Sequence, residues 1–210
     1  ETMRKQAEDF GTEFLLAEVL ELSLDGDIKN IKTSKGDFKA FGVLLATGAS
    51  PRKVGFKGEE EFKGHGVAYC ATCDGEFFTG KNIFVIGGGF AAAEESMFLT
   101  KFAKHVTILV REDDFTCAKT IADQVKGHPK ITTIFNTEVL EVNGNDVLTY
   151  IKYKNNKTGK ITEYQVNDDD DFGVFVFAGY VPETSLVKGV AEVNAQNYIR
   201  KNQNNKAWKQ

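Results

Sequence analysis

Cysteine is scarce in this chain, three residues in 210, and the small odd number excludes the disulfide framework of a secreted scaffold. Histidine is equally scarce. His65, His105 and His128 stand apart in sequence, so a zinc site lacks the second pair of soft ligands it needs. The acidic run Asp168 to Asp171 lacks the alternation, Gly and distant Glu of a calcium loop and reads as a solvated turn. No metal is expected. Positive charge is not in excess either: 26 Lys and Arg lie scattered among 30 Asp and Glu, a formal net charge of −4, which argues against nucleic acid as a partner. No apolar run approaches the roughly 20 residues of a membrane helix, and Glu1-Thr-Met-Arg-Lys-Gln6 carries no apolar signal core. With 41% hydrophobic and 11% aromatic residues, the chain is expected to be a soluble cytoplasmic globular protein of one or two domains.

Two of the three cysteines sit together. In Cys70-Ala-Thr-Cys73-Asp74-Gly75, two thiols two residues apart with a carboxylate behind them can close as a disulfide, open as a dithiol and pass electrons on by thiolate attack. This reads as redox machinery. Cys117, after Phe115-Thr116 at the start of a helical segment, reads as a small buried residue.

Around this motif the pattern of elements changes. The first nine residues read as the end of a helix, and Phe14 to Leu24 as strand-rich. Asp25-Gly26-Asp27 then makes a turn, Ile28 to Thr33 a strand, Ser34 to Asp37 a second turn, and Phe38 to Ala46 a strand that Thr47-Gly48-Ala49-Ser50-Pro51 ends. Beyond the cysteines, Ile83 to Ile86 is a buried strand and Gly87 to Gly89 a tight turn. Ala91 to Phe102 is a helix with Ala92, Ser96, Leu99 and Ala103 on one stripe. Val106 to Val110, a helix over Thr116 to Lys126, and Ile131 to Phe135 complete a βαβαβ unit. Val139 to Val142, Val147 to Tyr153 and Ile161 to Val166 read as an antiparallel meander, Val174 to Phe177 as a strand, and Asn194 to Gln210 as a polar tail without a periodic apolar face.

Gly87-Gly88-Gly89-Phe90-Ala91-Ala92 fits G-x-G-x-x-A, following a strand and opening a helix, which is the setting of a dinucleotide fingerprint. The first Gly permits the turn, the second admits a pyrophosphate to the backbone, and the small Ala92 lets helix and strand pack closely. The next strand ends in Val110-Arg111-Glu112-Asp113-Asp114. Glu112 stands about 20 residues past Ala92, where a carboxylate accepts from the ribose hydroxyls and repels a 2′-phosphate. Arg111 argues the other way. Three carboxylates against one Arg favour the unphosphorylated cofactor.

These residues carry a resemblance. Over about Glu1 to Val193 the chain resembles the low-molecular-weight thioredoxin reductases, pyridine-nucleotide-disulfide flavoproteins. The matching motifs are Ala46-Thr47-Gly48-Ala49, the Gly64-His65-Gly66-Val67 lead-in to the cysteine motif, the glycine loop with Glu94-Glu95 behind it, and Gly179-Tyr180-Val181-Pro182. The resemblance implies an α/β architecture in which a Rossmann-like nucleotide domain, a three-layer arrangement of parallel sheet plus β-meander, is inserted into an incomplete FAD-binding domain. The implied boundaries are 1–52 and 179–210 for the partial FAD domain and 53–178 for the NAD(P)H domain with the CxxC. It further implies Cys70 as the interchange thiol, Cys73 as the thiol facing the flavin, and Asp74 as the proton carrier. Thr47, Gly48 and Gly179 join Gly87, Gly88, Gly89, Phe90, Ala91, Ala92, Arg111 and Glu112 as cofactor-binding residues. The implied cofactors are FAD with NADPH or NADH, the implied partner thioredoxin or a similar small disulfide protein, and the implied assembly a homodimer when complete.

Two departures stand out. The family's His-Arg-Arg with a later Arg, which grips the NADPH phosphate, is matched here only by Arg111, with Glu112 and Thr116 in other Arg positions. The family's N-terminal glycine-rich FAD loop and C-terminal Ala-Gly-Asp segment have no counterpart in these 210 residues. The expectation is a piece that starts inside one half of the FAD domain and stops inside the other, with little FAD retention. Two further readings follow: a relative fed by NADH or by ferredoxin, and a nucleotide-binding module without catalysis.

Overall fold

Two units divide the chain, residues 1–50 with 181–210 and residues 51–180. The computed structural model describes residues 2–167 and 169–200; Asp168 of the expected acidic turn and the tail over 201–210 lie outside the described residues.

The first unit opens with α1 (Thr2–Asp9), whose pairs Arg4–Glu8 at 2.8 Å and Lys5–Asp9 at 3.0 Å span one helical turn each. Three strands follow, β1 (Val19–Ser23), β2 (Lys29–Thr33) and β3 (Gly36–Ala40), paired antiparallel in that order. The turn before β3 is tight: Thr33 Oγ1 donates to the Gly36 carbonyl at 2.7 Å. The strand expected through Ala46 stops at Ala40, and the strand-rich stretch from Phe14 narrows to Val19–Ser23. No strand lies beside residues 43–46 among the described residues, and an apolar run without a neighbour to take its backbone hydrogen bonds stays out of a sheet. Leu44 is accordingly 93% exposed, and Phe10, Phe14, Leu16 and Phe41 are exposed with it. Val187 is the one buried hydrophobic side chain of this unit among the described residues. A short β4 (Ala49–Pro51) closes the segment.

The second unit holds β5 (Val67–Ala68), α2 (Ala71–Asp74) with a 3-10 turn over Gly75–Phe78, β6 (Asn82–Ile86), α3 (Phe90–Leu99), β7 (His105–Leu109), α4 (Lys119–Lys126) and β8 (Ile131–Ile134). Then come β9 (Thr137–Gly144), β10 (Leu148–Asn155), β11 (Ile161–Gln165) and β12 (Phe172–Val176); β13 (Tyr180–Pro182), the strand after them, pairs with β4. Five strands form a parallel sheet in the order β5-β12-β6-β7-β8, and β11-β10-β9 form the antiparallel meander the sequence pattern predicts.

Alternation along the central strands explains the layering. Ile83 and Val85 of β6, Val106 and Ile108 of β7, and Phe175 of β12 point to one face, where α3 and α4 cover them with Ala92, Ala93, Leu99, Ala122 and Val125. Phe84, Ile86, Leu109, Phe172, Val174 and Val176 point to the other face, onto Val139, Val142, Leu148 and Ile151 of the meander. A parallel sheet needs cover on both faces, and the continuous apolar runs of β6 and β12 supply two cores at once. The result is three layers: helices, parallel sheet, meander. The stripe predicted on α3 is buried throughout, with Ala92, Ser96 and Leu99 at 0% and Ala103 at 1% exposure.

Two helix ends differ from the sequence pattern. α3 stops at Leu99 rather than Phe102, and Lys130 Nζ donates to the freed carbonyls of Thr100 and Ala103 at 2.9 and 3.1 Å. α4 begins at Lys119 rather than Thr116, because Ala118 in front of it is extended, with ψ at 138°, and the Thr116 N–H bonds the Gly88 carbonyl at 2.8 Å. Cys117 therefore precedes the helix and is half-buried against the helical-face core rather than fully enclosed.

Leu148 joins the meander to the lead-in of the cysteine motif: it is fully buried, and a side chain added at Gly66 would meet its Cγ at 2.6 Å. Leu148→Ala is expected to destabilise the chain by about 2–5 kcal/mol, the range for a buried leucine whose cavity cannot collapse, read from urea denaturation.

Candidate active site

Parallel strands emit their loops from one edge, and the pairing register shows which residues leave it together. Ala68 of β5 stands level with Phe175 of β12, Phe175 with Val85 of β6, and Val85 with Ile108 of β7. Two or three residues further on come Cys70, Phe177, Gly87 and Val110-Arg111. The cysteine motif, the glycine loop and the acidic strand end thus issue from the carboxyl edge of one sheet. The chain moves from β6 to β7 and β8 on one side and returns as β12 on the other, so the strand order reverses at β6. Ligands of open α/β sheets bind at such reversals.

The glycine loop is fixed by three collisions that side chains would cause. A Cβ at Gly87, where φ is +144°, would run into the Phe177 carbonyl and lie 3.1 Å from Ala92 Cβ. One at Gly88 would lie 2.5 Å from Val110 Cγ1. Gly89, the residue capping α3, is different: the nearest atom to a Cβ there is Thr116 Oγ1 at 3.8 Å, so the backbone is open to a ligand. Phe90 and Ala91, both exposed, open the helix and offer no polar side-chain atom, so a bound pyrophosphate would rest on the free N–H groups of the first turn. Gly88 and Thr116 are the residues whose part here exceeds their sequence reading. Thr116 holds the loop through two bonds to the Gly88 carbonyl, N–H at 2.8 Å and Oγ1 at 3.2 Å. Behind the loop, burial first and Glu94 second push the Glu95 carboxyl above its ordinary value.

Beside the loop, the end of β7 is less acidic than its sequence suggests. Arg111 donates from Nε and Nη2 to Glu112 Oε1 at 3.0 and 2.7 Å, which lifts the guanidinium above its ordinary value. Lys126 Nζ reaches Asp114 Oδ1 at 2.7 Å and Lys157 approaches Asp113 at 3.9 Å. The tally of three carboxylates against one Arg is corrected: the fold brings two lysines from α4 and the β10–β11 turn, and each carboxylate has a cation.

At the cysteine motif, Cys70 and Cys73 form a disulfide with Cα atoms 5.3 Å apart. Cys70 is extended and caps the short α2, its Sγ accepting the Cys73 N–H at 3.2 Å. Buried Ala71 pins the turn to the core, and Gly75 lets it rest on the end of α3 and the turn after it, where a side chain would meet Leu99 and Phe102 at 3.0 and 3.3 Å. Cys70 and Asp74 are half-buried while Cys73 is exposed, and the Asp74 N–H closes the turn on the Cys70 carbonyl at 3.1 Å.

Sequence reasoning missed Glu59. Its carboxylate is 2% exposed and accepts from the N–H groups of Val54 at 3.1 Å and Gly55 at 2.5 Å and from the Tyr69 hydroxyl at 2.8 Å. It anchors the residue that precedes Cys70. Burial, then the bond to Glu59, pushes the Tyr69 hydroxyl well above the usual tyrosine range, so it remains a donor at any ordinary pH. A Glu that opens a run of three carries no sequence signal of burial; only its partners reveal it.

Thr47, Gly48 and Gly179 do not join this edge as one described site. Thr47 Oγ1 donates to the Glu183 carbonyl at 2.6 Å, and the Gly48 carbonyl accepts from the Glu183 N–H at 3.1 Å. Gly179 belongs to the second unit and accepts from Arg52 N–H at 2.8 Å. Both glycines have positive φ and open space where a side chain would stand, so the backbone is approachable there. Among the described residues, no metal-binding group of His, Cys, Asp and Glu occurs, and no helix is long and apolar enough to cross a membrane.

Comparison with known proteins accords with this geometry. The family model described as pyridine nucleotide-disulphide oxidoreductase matches residues 4–207. Thioredoxin reductase of Peptoclostridium acidaminophilum is 44% identical over 200 residues, covering 95% of this chain and 64% of the relative. The bifunctional thioredoxin reductase/thioredoxin of Mycobacterium leprae is 41% identical over 198 residues, covering 94% of this chain and 42% of the relative. Among solved structures, Lactococcus lactis thioredoxin reductase in its FR conformation superposes with a TM-score of 0.78 at 34% identity, over 96% of this chain and 65% of that one. The chain spans just under two thirds of the length of the two thioredoxin reductases and under half of the bifunctional protein.

Four substitutions test the geometry. Gly88→Ala is expected to cost about 1–3 kcal/mol by overpacking against Val110. Gly89→Ala is expected to leave the melting temperature within about 2 °C, since it meets open space, and to weaken ADP-ribose binding in calorimetric titration. Glu59→Ala is expected to cost about 1.5–3 kcal/mol, since it removes the buried carboxylate that accepts from Val54, Gly55 and Tyr69, whereas Tyr69→Phe costs about 1 kcal/mol.

Proposed function

Because the chain belongs to the pyridine nucleotide-disulphide oxidoreductase family, matched over residues 4–207, we propose that these residues form the dithiol and nicotinamide-binding part of a thioredoxin-disulfide reductase. The observation that carries the reading is the disulfide Cys70–Cys73 on the same sheet edge as the glycine loop. The proposed boundaries follow the two units: the nucleotide-binding domain over 53–178, and a partial flavin-binding domain over 1–52 and 179–210.

The residues at the glycine loop fit a nicotinamide dinucleotide, NADH or NADPH, whose pyrophosphate would sit at Gly89 and the first turn of α3. FAD fits less completely, with Thr47, Gly48 and Gly179 as backbone contacts and no second glycine fingerprint among these residues. The flavin, when bound, supplies the centre through which a nicotinamide hydride becomes an electron pair for a disulfide.

The chain's own residues do the rest. Two electrons and two protons open the Cys70–Cys73 bond to a dithiol. Cys70 is the interchange thiol: the Cys73 N–H directed at its sulfur favours the thiolate. That thiolate attacks a sulfur of the partner disulfide, forming a mixed disulfide and releasing one partner thiolate, which takes up a proton. Cys73 then attacks Cys70 Sγ, re-forms the disulfide and releases the second partner thiol. Asp74, the residue directly behind Cys73, carries the proton between the thiols and solvent. A small protein disulfide such as that of thioredoxin is the proposed substrate, in a soluble, cytoplasmic homodimer.

The exchange half of this reaction is testable without flavin. On a Cys117→Ser background, the chain is reduced with dithiothreitol, desalted and mixed with oxidised thioredoxin. The chain is expected to transfer one electron pair. Cys73→Ser is expected to accumulate a mixed disulfide with thioredoxin, and Cys70→Ser to lose exchange by about 100-fold or more. Exchange at an unchanged rate in Cys70→Ser would sink the assignment of the interchange thiol.

A further inference from the structure

We infer that the dinucleotide site selects the unphosphorylated adenosine ribose, with Glu112 as its acceptor and Arg111 as the residue that positions Glu112 rather than a phosphate ligand. This rests on the proposed dinucleotide reading of the glycine loop and specifies which member of that cofactor pair the site takes.

Position comes first. The segment from Arg111 to Thr116 is tied to the loop at both ends, through Val110 against Gly88 and through the Thr116 bonds to the Gly88 carbonyl. A further bond, from the Asn136 N–H to the Glu112 carbonyl at 2.8 Å, fixes the backbone of the acidic residue. A dinucleotide with its pyrophosphate at Gly89 brings its adenosine ribose to this strand end.

Charge pairing then decides what the ribose meets. Both Arg111 bonds converge on Oε1 of Glu112, and among the described residues no hydrogen bond reaches Oε2. One carboxylate oxygen is held and the other is left to accept from the ribose 2′- and 3′-hydroxyls. Two lysines near this edge also face carboxylates rather than open space, Lys126 at 2.7 Å from Asp114 and Lys157 at 3.9 Å from Asp113. A 2′-phosphate, carrying between one and two negative charges, would have to displace Glu112 from Arg111 and lie against its carboxylate. Thr116, where the resemblance has another Arg, spends its hydroxyl on the Gly88 carbonyl and brings no charge.

The experiment is calorimetric titration of the full chain with ADP-ribose and with 2′-phospho-ADP-ribose, which need neither flavin nor turnover. ADP-ribose is expected to bind at least about tenfold more tightly, the size of effect that an adjacent like charge produces. Glu112→Gln, at a half-exposed position that leaves the fold intact, is expected to shrink that ratio at least about threefold by removing the repulsion. Arg111→Ala is expected to weaken ADP-ribose and to leave 2′-phospho-ADP-ribose unchanged, with an unchanged melting temperature. Equal or tighter binding of the 2′-phosphorylated ligand, or its selective loss in Arg111→Ala, would overturn this inference and leave the dinucleotide reading standing. Binding of neither ligand would overturn both.

Discussion

The carbonyl of Phe177 fills the place where a side chain at position 87 would stand, and much of the second unit follows from that contact. It requires β12 to lie directly beside β6, which makes β6 the point where the strand order reverses. It requires a glycine at 87, and the near approach of Ala92 then brings the first turn of α3 down onto the strand. Val110 does the same from the β7 side at Gly88. Two segments far away in sequence, the ends of β12 and β7, thus converge with the first turn of α3 on one loop, and Gly89 is the glycine of the three whose backbone is left approachable. Close packing here is what exposes the helix N–H groups in a fixed direction, so structural and binding demands coincide.

The disulfide depends on a different device. Its supporting strand, β5, has only two residues, too few for the sheet alone to hold Cys70 in place. Support comes from below through Ala71 and Gly75 and from the side through Glu59, which gathers two backbone N–H groups and the Tyr69 hydroxyl onto one buried carboxylate. A buried charge is tolerable only when its lone pairs are satisfied. Glu59 meets that condition with donors from the segment entering the unit and from the residue preceding the redox pair. The sulfur pair is therefore anchored through its neighbours, with Cys70 half-buried and Cys73 exposed.

What was legible in the sequence is what depends on local pattern. The glycine loop, the CxxC turn, the βαβαβ order and the meander all follow from spacing and periodicity within short windows, and the structure has them within a few residues. The misreadings share one cause, dependence on a distant partner. Residues 43–46 look like a strand but have no strand beside them among the described residues. Thr116 looks like the start of a helix, but the chain from Thr116 to Ala118 stays outside it, Thr116 bonded to Gly88 across 28 residues and Ala118 extended. Glu59 looks like one more surface carboxylate in Glu59-Glu60-Glu61, and burial singles it out. Gly66 enters the sequence reading only within the lead-in to the cysteine motif, yet its missing side chain is what admits Leu148.

Charge shows the same limit most sharply. Counting signs along Val110 to Thr116 gives a strongly acidic strand end, whereas the folded surface pairs every one of those carboxylates with a cation, two of them from elements that follow later in the chain. The unphosphorylated ribose is still favoured, for another reason. Net charge acts over a Debye length and is screened, whereas a phosphate must replace particular hydrogen bonds at contact distance. At this strand end the one guanidinium is already bonded twice to the carboxylate that a 2′-phosphate would have to displace. Selectivity is thus set by which partner Arg111 already holds, a property of two adjacent residues fixed by the backbone of one strand, and not by the sum of charges around it.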